Sequence, residues 1–330
     1  MIIPTLRITE RKKYDEMIAS YIKNDIRVIR VNMSRHSLSR YCDDIEYINS
    51  ISGNRFSIMC DVPLPGRKYR IGLRNEEELY IEKGQQILFC VESDIGRSIE
   101  GAIPVNVTSF TNVSRGEKII IGDGELLLTV LQKLSQNQIL AIASNSAVIR
   151  GQRSFVIPTS LTYEVFSRNT LDEYIAAFKQ IRPSMVVLSF SENIDDIKCI
   201  EFEIQKHIEK VEIIPKIETP LGVENLERFA GSYHTFMLGR GDLGLFSGAT
   251  QFAEQQEIIL QRAKKMHNKI IAATDILTTL YASNIPSRSD LTDVYYLKKM
   301  GARDVVASAG ISMVPELFTQ FCHYASMFQK

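Results

Sequence analysis

No stretch of this 330-residue chain approaches the roughly 20 consecutive apolar residues that a membrane-crossing helix requires. The N-terminal "MIIPTLRITERKKYDE" also lacks the apolar run of a secretory signal. Neither sign of charge prevails, with 39 Lys plus Arg against 39 Asp plus Glu. That balance excludes bulk attraction to nucleic acid or anionic lipid and leaves only a local basic pocket open. Cysteines are few, odd in number and scattered (Cys42, Cys60, Cys90, Cys199, Cys322), with no CxxC spacing. A disulfide or zinc framework is therefore excluded, and reduced, mostly buried thiols of a cytoplasmic protein are expected. Tryptophan is absent, which says nothing about function. Repeats and low-complexity tracts are absent too. What is present is 45% apolar residues, enough for a sizeable core in one large domain, or in a large one plus a small one.

Short apolar, β-rich runs alternate with amphipathic helical patterns. The runs that read as strands are 2–8, 28–33, 56–62, 185–190, 211–217, 235–240, 269–274 and 304–309. They are apolar on both faces, as parallel strands buried under helices are. Helical patterns include "TLDEYIAAFKQI" (170–181), "QFAEQQEIILQRAKKMH" (251–267) and "SDLTDVYYLKKMG" (289–301). Eight strands alternating with helices predict an α/β fold, a (β/α)8 TIM barrel. Residues 70–156 break the alternation with short runs such as "QQILFCVE", "IPVNVTSF", "EKIIIGDGELLLTVLQ" and "QILAIAS". They predict a small all-β domain inserted after the third barrel strand, the barrel itself being 1–69 and 157–330.

The stretch "IIPKIETP" (213–220) then asks for an explanation. Lys216 and Glu218 are two apart, so on a strand they share one face. Opposite charges on one face of a core strand are costly unless something needs them there. Functional groups of such barrels gather at the C-terminal ends of the strands. Lys216 and Glu218 end the fifth strand, and Asp242 in "GRGDLG" follows the sixth. Arg30 and Asn32 lie on the second, Asp61 ends the third and Thr274 ends the seventh, so all would meet at one mouth. Taken singly, each has a plainer reading. Lys216 and Glu218 could seal a barrel layer, Asp242 could cap a turn and Asp61 could end a strand. Asp123 in "IGDGEL" reads first as a hairpin-turn residue, and Arg150 and Arg153 as solvated.

Together these segments resemble the pyruvate kinase family over nearly the whole chain. "VIRVNMSRH" is similar to its second-strand motif, in which Arg35 and His36 compete for one position. "IIPKIETPLGVENLERF" is similar to its Lys-Ile-Glu motif and following helix, and "FMLGRGDLG" to its Ala-Arg-Gly-Asp-Leu-Gly motif. "KIIAATDIL" and "PSRSDLTDV" resemble its seventh strand and a later helix start, and the insertion resembles its mobile lid. The resemblance implies that Glu218 and Asp242 hold a divalent metal, Mg2+ or Mn2+. It implies that Arg30 and Lys216 are catalytic and hold the phosphoryl group. Asn32, Ser34, Asp61 and the Val62 carbonyl would bind K+. Gly241 and Asp242 would receive the substrate carboxylate, and Thr274 would stand beside the carbon that is protonated.

The resemblance thus implies a glycolysis-like transferase: phosphoryl transfer from phosphoenolpyruvate to ADP or another acceptor, giving pyruvate. Its partners would be small molecules, phosphoenolpyruvate and pyruvate with ADP and ATP, not nucleic acid or membrane, and a homo-oligomer is compatible. A metal-dependent pyruvate-enolate lyase or decarboxylase stays open, as does a non-catalytic phosphoenolpyruvate-binding protein. The departures bear on that choice. "PTLRITERKK" replaces the first-strand exit that helps line the nucleotide site. "DVPLPGRKYRIG" departs from the third-strand motif, with Val62 for Thr. Asp275 stands for Gln, Phe246 for Glu, and "SAGIS" for Ser-Gly-Glu. The family's further C-terminal α/β domain has no counterpart before Lys330. The expectation is a kept phosphoenolpyruvate half and an altered acceptor half.

Overall fold

The structure is a computed structural model and describes residues 1–9, 11–34, 36–63, 69–72, 77–92, 101–151, 153–158, 167–248 and 250–326. Arg35 and part of the third-strand segment, 64–68, lie outside the described residues. The chain divides into two compact units. One comprises Met1–Pro63, Phe166–Gly244 and Ala249–Lys330, and the other Leu64–Val165 with Leu245–Gly248.

The first unit is a closed eight-stranded barrel. Its strands are β1 (Ile2–Leu6), β2 (Val28–Asn32), β3 (Ser57–Val62), β4 (Met185–Leu188), β5 (Glu212–Ile217), β6 (Thr235–Gly239), β7 (Lys269–Ala273) and β8 (Ala302–Ala307). Every neighbouring pair is parallel and β8 closes onto β1. The predicted barrel is therefore present. Its interior is a packed layer to which each strand contributes, including Ile3, Met59, Val187, Ile214, Met237 and Val306. Such branched and flexible apolar side chains fill a barrel of this size without leaving a pore.

Strand ends depart from the expected bounds for local reasons. β4 stops at Leu188 because Phe190 adopts φ +52, which no strand accommodates. β7 stops at Ala273 because Thr274 has φ +76. β8 runs Ala302–Ala307, earlier than 304–309, since Ser308 already begins the short helix Ala309–Ser312. The expected helices appear as Arg168–Ile181, Phe252–Lys265 and Arg288–Met300. The turn after β5 starts its helix at once. Thr219 Oγ1 accepts from the Gly222 amide and Pro220 fills the first helical position, so Pro220–Glu224 is helical directly after Glu218.

The second unit is β-built. A seven-stranded sheet runs in the order Tyr69–Arg70, Ser154–Val156, Lys118–Ile121, Leu126–Ser135, Gln138–Ala143, Gln86–Val91, Ile103–Val105. Ala147–Arg150 pairs separately with Glu78–Ile81. It has its own core, centred on Phe89, Phe110 and Phe155. Asp123 is exposed in the hairpin turn between Lys118–Ile121 and Leu126–Ser135, flanked by Gly122 and Gly124 at positive φ. Arg150 pairs with Glu78 at 2.8 Å and Arg153 with Glu125 at 2.7 Å, both inside this unit.

Candidate active site

The C-terminal ends of β2, β3 and β5 bring two cations and two carboxylates into one sealed cluster. Asp61 is 2% exposed and Glu218 1%. Arg30 donates through Nε to Asp61 Oδ2 at 2.9 Å, with Nη2 on the same oxygen, and through Nη1 to Thr5 Oγ1 at 2.9 Å. Lys216 Nζ lies 3.1 Å from Glu218 Oε2 and 3.4 Å from Asp61 Oδ2. Parallel register explains the meeting. Thr5 is opposite Arg30, and Asn32 is opposite Asp61, on adjacent strands.

Burial acts on Lys216 to lower its pKa, but the Asp61 and Glu218 carboxylates, with Asp242 adding, override it. The ammonium is held above the ordinary lysine range. Asp242 is half-buried in the first turn of helix Arg240–Ser247, where the helix dipole favours an acid. Gly241 and Asp242 lie in that first turn, and the first turn of a helix is the usual setting for an anion.

Two glycines make room. A Cβ on Gly239 would come within 2.4 Å of Glu218 Oε2 and 3.0 Å of Lys216 Cε. A Cβ on Gly241 would meet Thr274 Cγ2 at 2.9 Å. Thr274 itself is exposed, and a β-branched residue at φ +76 is strained, a feature concentrated at functional sites.

The remaining expected residues lie at the same strand ends. Asn32 Oδ1 accepts from the Ser34 amide at 3.2 Å. The Val62 carbonyl accepts from the Ser189 amide at 3.1 Å, and Asp61 Oδ1 accepts from Ser189 Oγ at 3.2 Å. Asn32, Ser34, Asp61 and the Val62 carbonyl each present an oxygen, with Asp61 the one carboxylate, a donor set for a hard cation. Among the described residues no group of three or more His, Cys, Asp or Glu forms a metal cluster. A divalent ion here would rest on two carboxylates, the number Mg2+ sites commonly use.

Sequence reasoning missed Thr5, Ser189, Phe190 and Arg240. Ser189 and Phe190 were absorbed into an apolar strand, although a serine interrupting "MVVLSF" was a signal. Arg240, 9% exposed, donates to Asp293 Oδ2 at 2.7 Å and ties the helix bearing Asp242 to helix Arg288–Met300. Two concavities lie elsewhere. One of about 650 Å³ is bounded by Met1, Lys269 and Arg303 at the N-terminal strand ends. One of about 810 Å³ is lined by Ile45, Asn49 and Arg182. Neither contains any of the converging residues.

The family model described as pyruvate kinase, barrel domain, matches residues 1–310. The chain is 26% identical to the pyruvate kinase of Thermococcus litoralis over 301 residues, 89% of this chain and 61% of that protein. It is 26% identical to that of Thermotoga maritima over 284 residues (84% and 60%). It is 26% identical to that of Methanocaldococcus jannaschii over 294 residues (89% and 60%). The chain thus spans about three fifths of the length of these relatives. With the barrel, the order of its motifs and a family match running from the first residue to 310, the chain belongs to the pyruvate kinase family.

Proposed function

We propose that the chain is a phosphotransferase that binds phosphoenolpyruvate with a divalent metal and passes the phosphoryl group to an acceptor, ADP by default, leaving pyruvate. The observation that carries this is the buried Arg30–Asp61–Lys216–Glu218 cluster with Asp242 acting on it. Phosphoryl transfer asks for positioning and fixed positive charge more than covalent work by the protein. Lys216 supplies an ammonium that stays charged at every physiological pH. Arg30 has five N–H donors and uses three on Asp61 and Thr5, which leaves one on each terminal nitrogen for a phosphoryl oxygen.

Glu218 and Asp242 would hold Mg2+ or Mn2+, in the space that Gly239 keeps clear, with water and substrate oxygens completing about six ligands. When bound, the ion supplies positive charge against the negative charge that develops on substrate oxygens. Asn32, Ser34, Asp61 and the Val62 carbonyl would hold K+. Gly241 and Asp242 would receive the substrate carboxylate on main-chain amides, and the exposed Thr274 hydroxyl would stand where the product carbon takes its proton. Five free cysteines, four of them buried, suit a reducing cytoplasm.

The test is pyruvate release from phosphoenolpyruvate in Mg2+ and K+, with and without ADP. Release that requires ADP and yields ATP supports the proposal. Release without ADP would instead mean that water takes the phosphoryl group, making the chain a phosphatase, whereas a pyruvate-enolate lyase would free no pyruvate from phosphoenolpyruvate. Asp242→Asn should lower turnover at least about 100-fold at unchanged thermal stability, because Asp242 is only half-buried and Asn keeps its shape; full turnover at low Mg2+ removes Asp242 from the metal.

A further inference from the structure

We propose that the turn Ser189–Phe190–Ser191 is a positioning element for the reacting charges, and that the left-handed main chain of Phe190 aims Glu218; this rests on the metal reading given above. Every main-chain N–H of the turn is committed to the site's framework. The Ser189 amide donates to the Val62 carbonyl at 3.1 Å, and the Ser191 amide donates to the Lys216 carbonyl at 3.1 Å. Between them, the Phe190 amide donates to Glu218 Oε1 at 2.9 Å. The flanking hydroxyls join in. Ser189 Oγ donates to Asp61 Oδ1 at 3.2 Å and lies 3.5 Å from Lys216 Nζ. Ser191 Oγ donates to the Leu188 carbonyl at 2.8 Å and accepts the Lys216 amide at 3.2 Å. Three residues at the end of β4 therefore knit the ends of β3 and β5, the strands that bear Asp61, Lys216 and Glu218.

Phe190 is the residue on which this geometry turns. Its φ is +52, a conformation that costs a bulky L-residue energy and persists only where the surroundings over-determine it. The side chain is 1% exposed, so packing holds it in place. Rotation about φ swings everything after Phe190 relative to its own N–H. Relaxing to negative φ would thus break either the bond to Glu218 or the pairing of Ser191 with Lys216. A hydrogen bond from a main-chain N–H to a buried carboxylate is among the stronger kind. Held on Oε1, Glu218 keeps Oε2 beside Lys216 at 3.1 Å. The strain at Phe190 is the means by which a carboxylate 28 residues away is given one orientation.

The consequence separates this role from ordinary packing. Glycine accepts φ +52 without strain and keeps the N–H. Alanine keeps a Cβ but loses the buried ring that enforces the turn. Mn2+ alone, titrated calorimetrically into the full chain, reads the difference. Phe190→Ala should weaken Mn2+ about tenfold or more, the usual effect of removing a partner that orients a metal ligand. Phe190→Gly should bind more tightly than Phe190→Ala. In turnover, the KM for metal should rise in Phe190→Ala by a larger factor than kcat falls. Phe190→Leu, which keeps a large apolar side chain to be buried, should recover most of the affinity and serves where Phe190→Ala does not fold. Ser189→Ala should weaken binding less than Phe190→Ala, since it acts on Asp61 and Lys216.

Equal and parent-like Mn2+ affinity in Phe190→Ala and Phe190→Gly overturns the proposal. A parent that takes up no Mn2+ overturns the metal reading instead. In that event crystals of Phe190→Ala decide the turn's role: a Glu218 displaced from its position supports it, and an unmoved Glu218 sinks it.

Discussion

At the scale of single residues, the site is held by charges that cannot be removed one at a time. Deleting the Lys216 ammonium leaves Glu218 and Asp61 facing each other with less compensation, in a region almost closed to water. Breaking such a buried pair costs about 3 kcal/mol or more. Lys216→Met should lose that much by urea unfolding at pH 7. The pH dependence follows from the sign of the shift. The pKa of Lys216 is raised on folding, so its contribution is fully present below the usual lysine value and is lost only as pH rises through the higher folded one. The gap between parent and Lys216→Met should therefore be flat from pH 7 to about pH 10, the reference lysine value. A gap closing by pH 9 would show that the ammonium is not stabilised by its neighbours. Gly239→Ala is the steric counterpart. Its methyl group would overlap Glu218 Oε2, so the carboxylate or β6 must move. We expect a loss of about 1–3 kcal/mol in stability, as for other overpacked cores, together with weakened Mn2+ binding. Unchanged calorimetric binding would place the metal away from Glu218.

At the scale of elements, the connection after β1 shows how an altered sequence is held. The Thr9 amide donates to Tyr14 Oη at 3.1 Å, and the Thr9 carbonyl accepts from Arg40 Nη2 at 3.2 Å. Tyr14 Oη in turn donates to Asp44 Oδ2 at 2.9 Å, and Arg40 Nε donates to the same oxygen at 3.2 Å. Asp44 is 1% exposed, on helix Leu38–Ser52. The segment that replaces the family's first-strand exit is thus clamped to the following helices through both main-chain polar groups of one residue, Thr9. Burial is the main force raising the Tyr14 pKa, and Asp44 adds to it, so the phenol remains a donor at all working pH. Tyr14→Phe should cost about 1–2 kcal/mol, because it also leaves a buried carboxylate with one donor fewer. Chemical denaturation measures it. A neutral outcome would mean that the Thr9 peptide is held without the phenol.

At the scale of the whole molecule, the barrel and the second unit each have a core. The interior layer of the barrel draws on all eight strands. The second unit has its own cluster around Phe89, Phe110 and Phe155. Replacing 64–165 by a short Gly/Ser linker should leave a cooperatively folding barrel, because no strand of the barrel is removed. Arg30, Asp61, Lys216, Glu218 and Asp242 all remain, so the shortened protein should still bind Mn2+ within about tenfold of the parent. Circular dichroism and calorimetry check the two statements. A shortened protein that folds and takes up no Mn2+ would assign part of the metal site to the deleted segment.

The sequence alone determined the barrel, since eight apolar runs alternating with helical patterns have few other closed solutions. It also determined where to look. Lys216 and Glu218 break an apolar strand on one face, and Asp242 sits in a motif, so their chemistry is visible at local range. Short strands such as Tyr69–Arg70 and Ser154–Val156 were not legible, because two or three residues carry no period and exist only through their partners. Tertiary structure alone decided which charges neutralise one another. Arg30 finds Asp61 across 31 positions, and Lys216 finds Asp61 across 155. It also decided the fate of "SF" at 189–190. Strand propensity continues through Phe190, but burial of the ring and a carboxylate waiting at Glu218 turn the chain into the left-handed region. Local preference cannot anticipate that outcome, because the groups that make it worth its strain come from another strand.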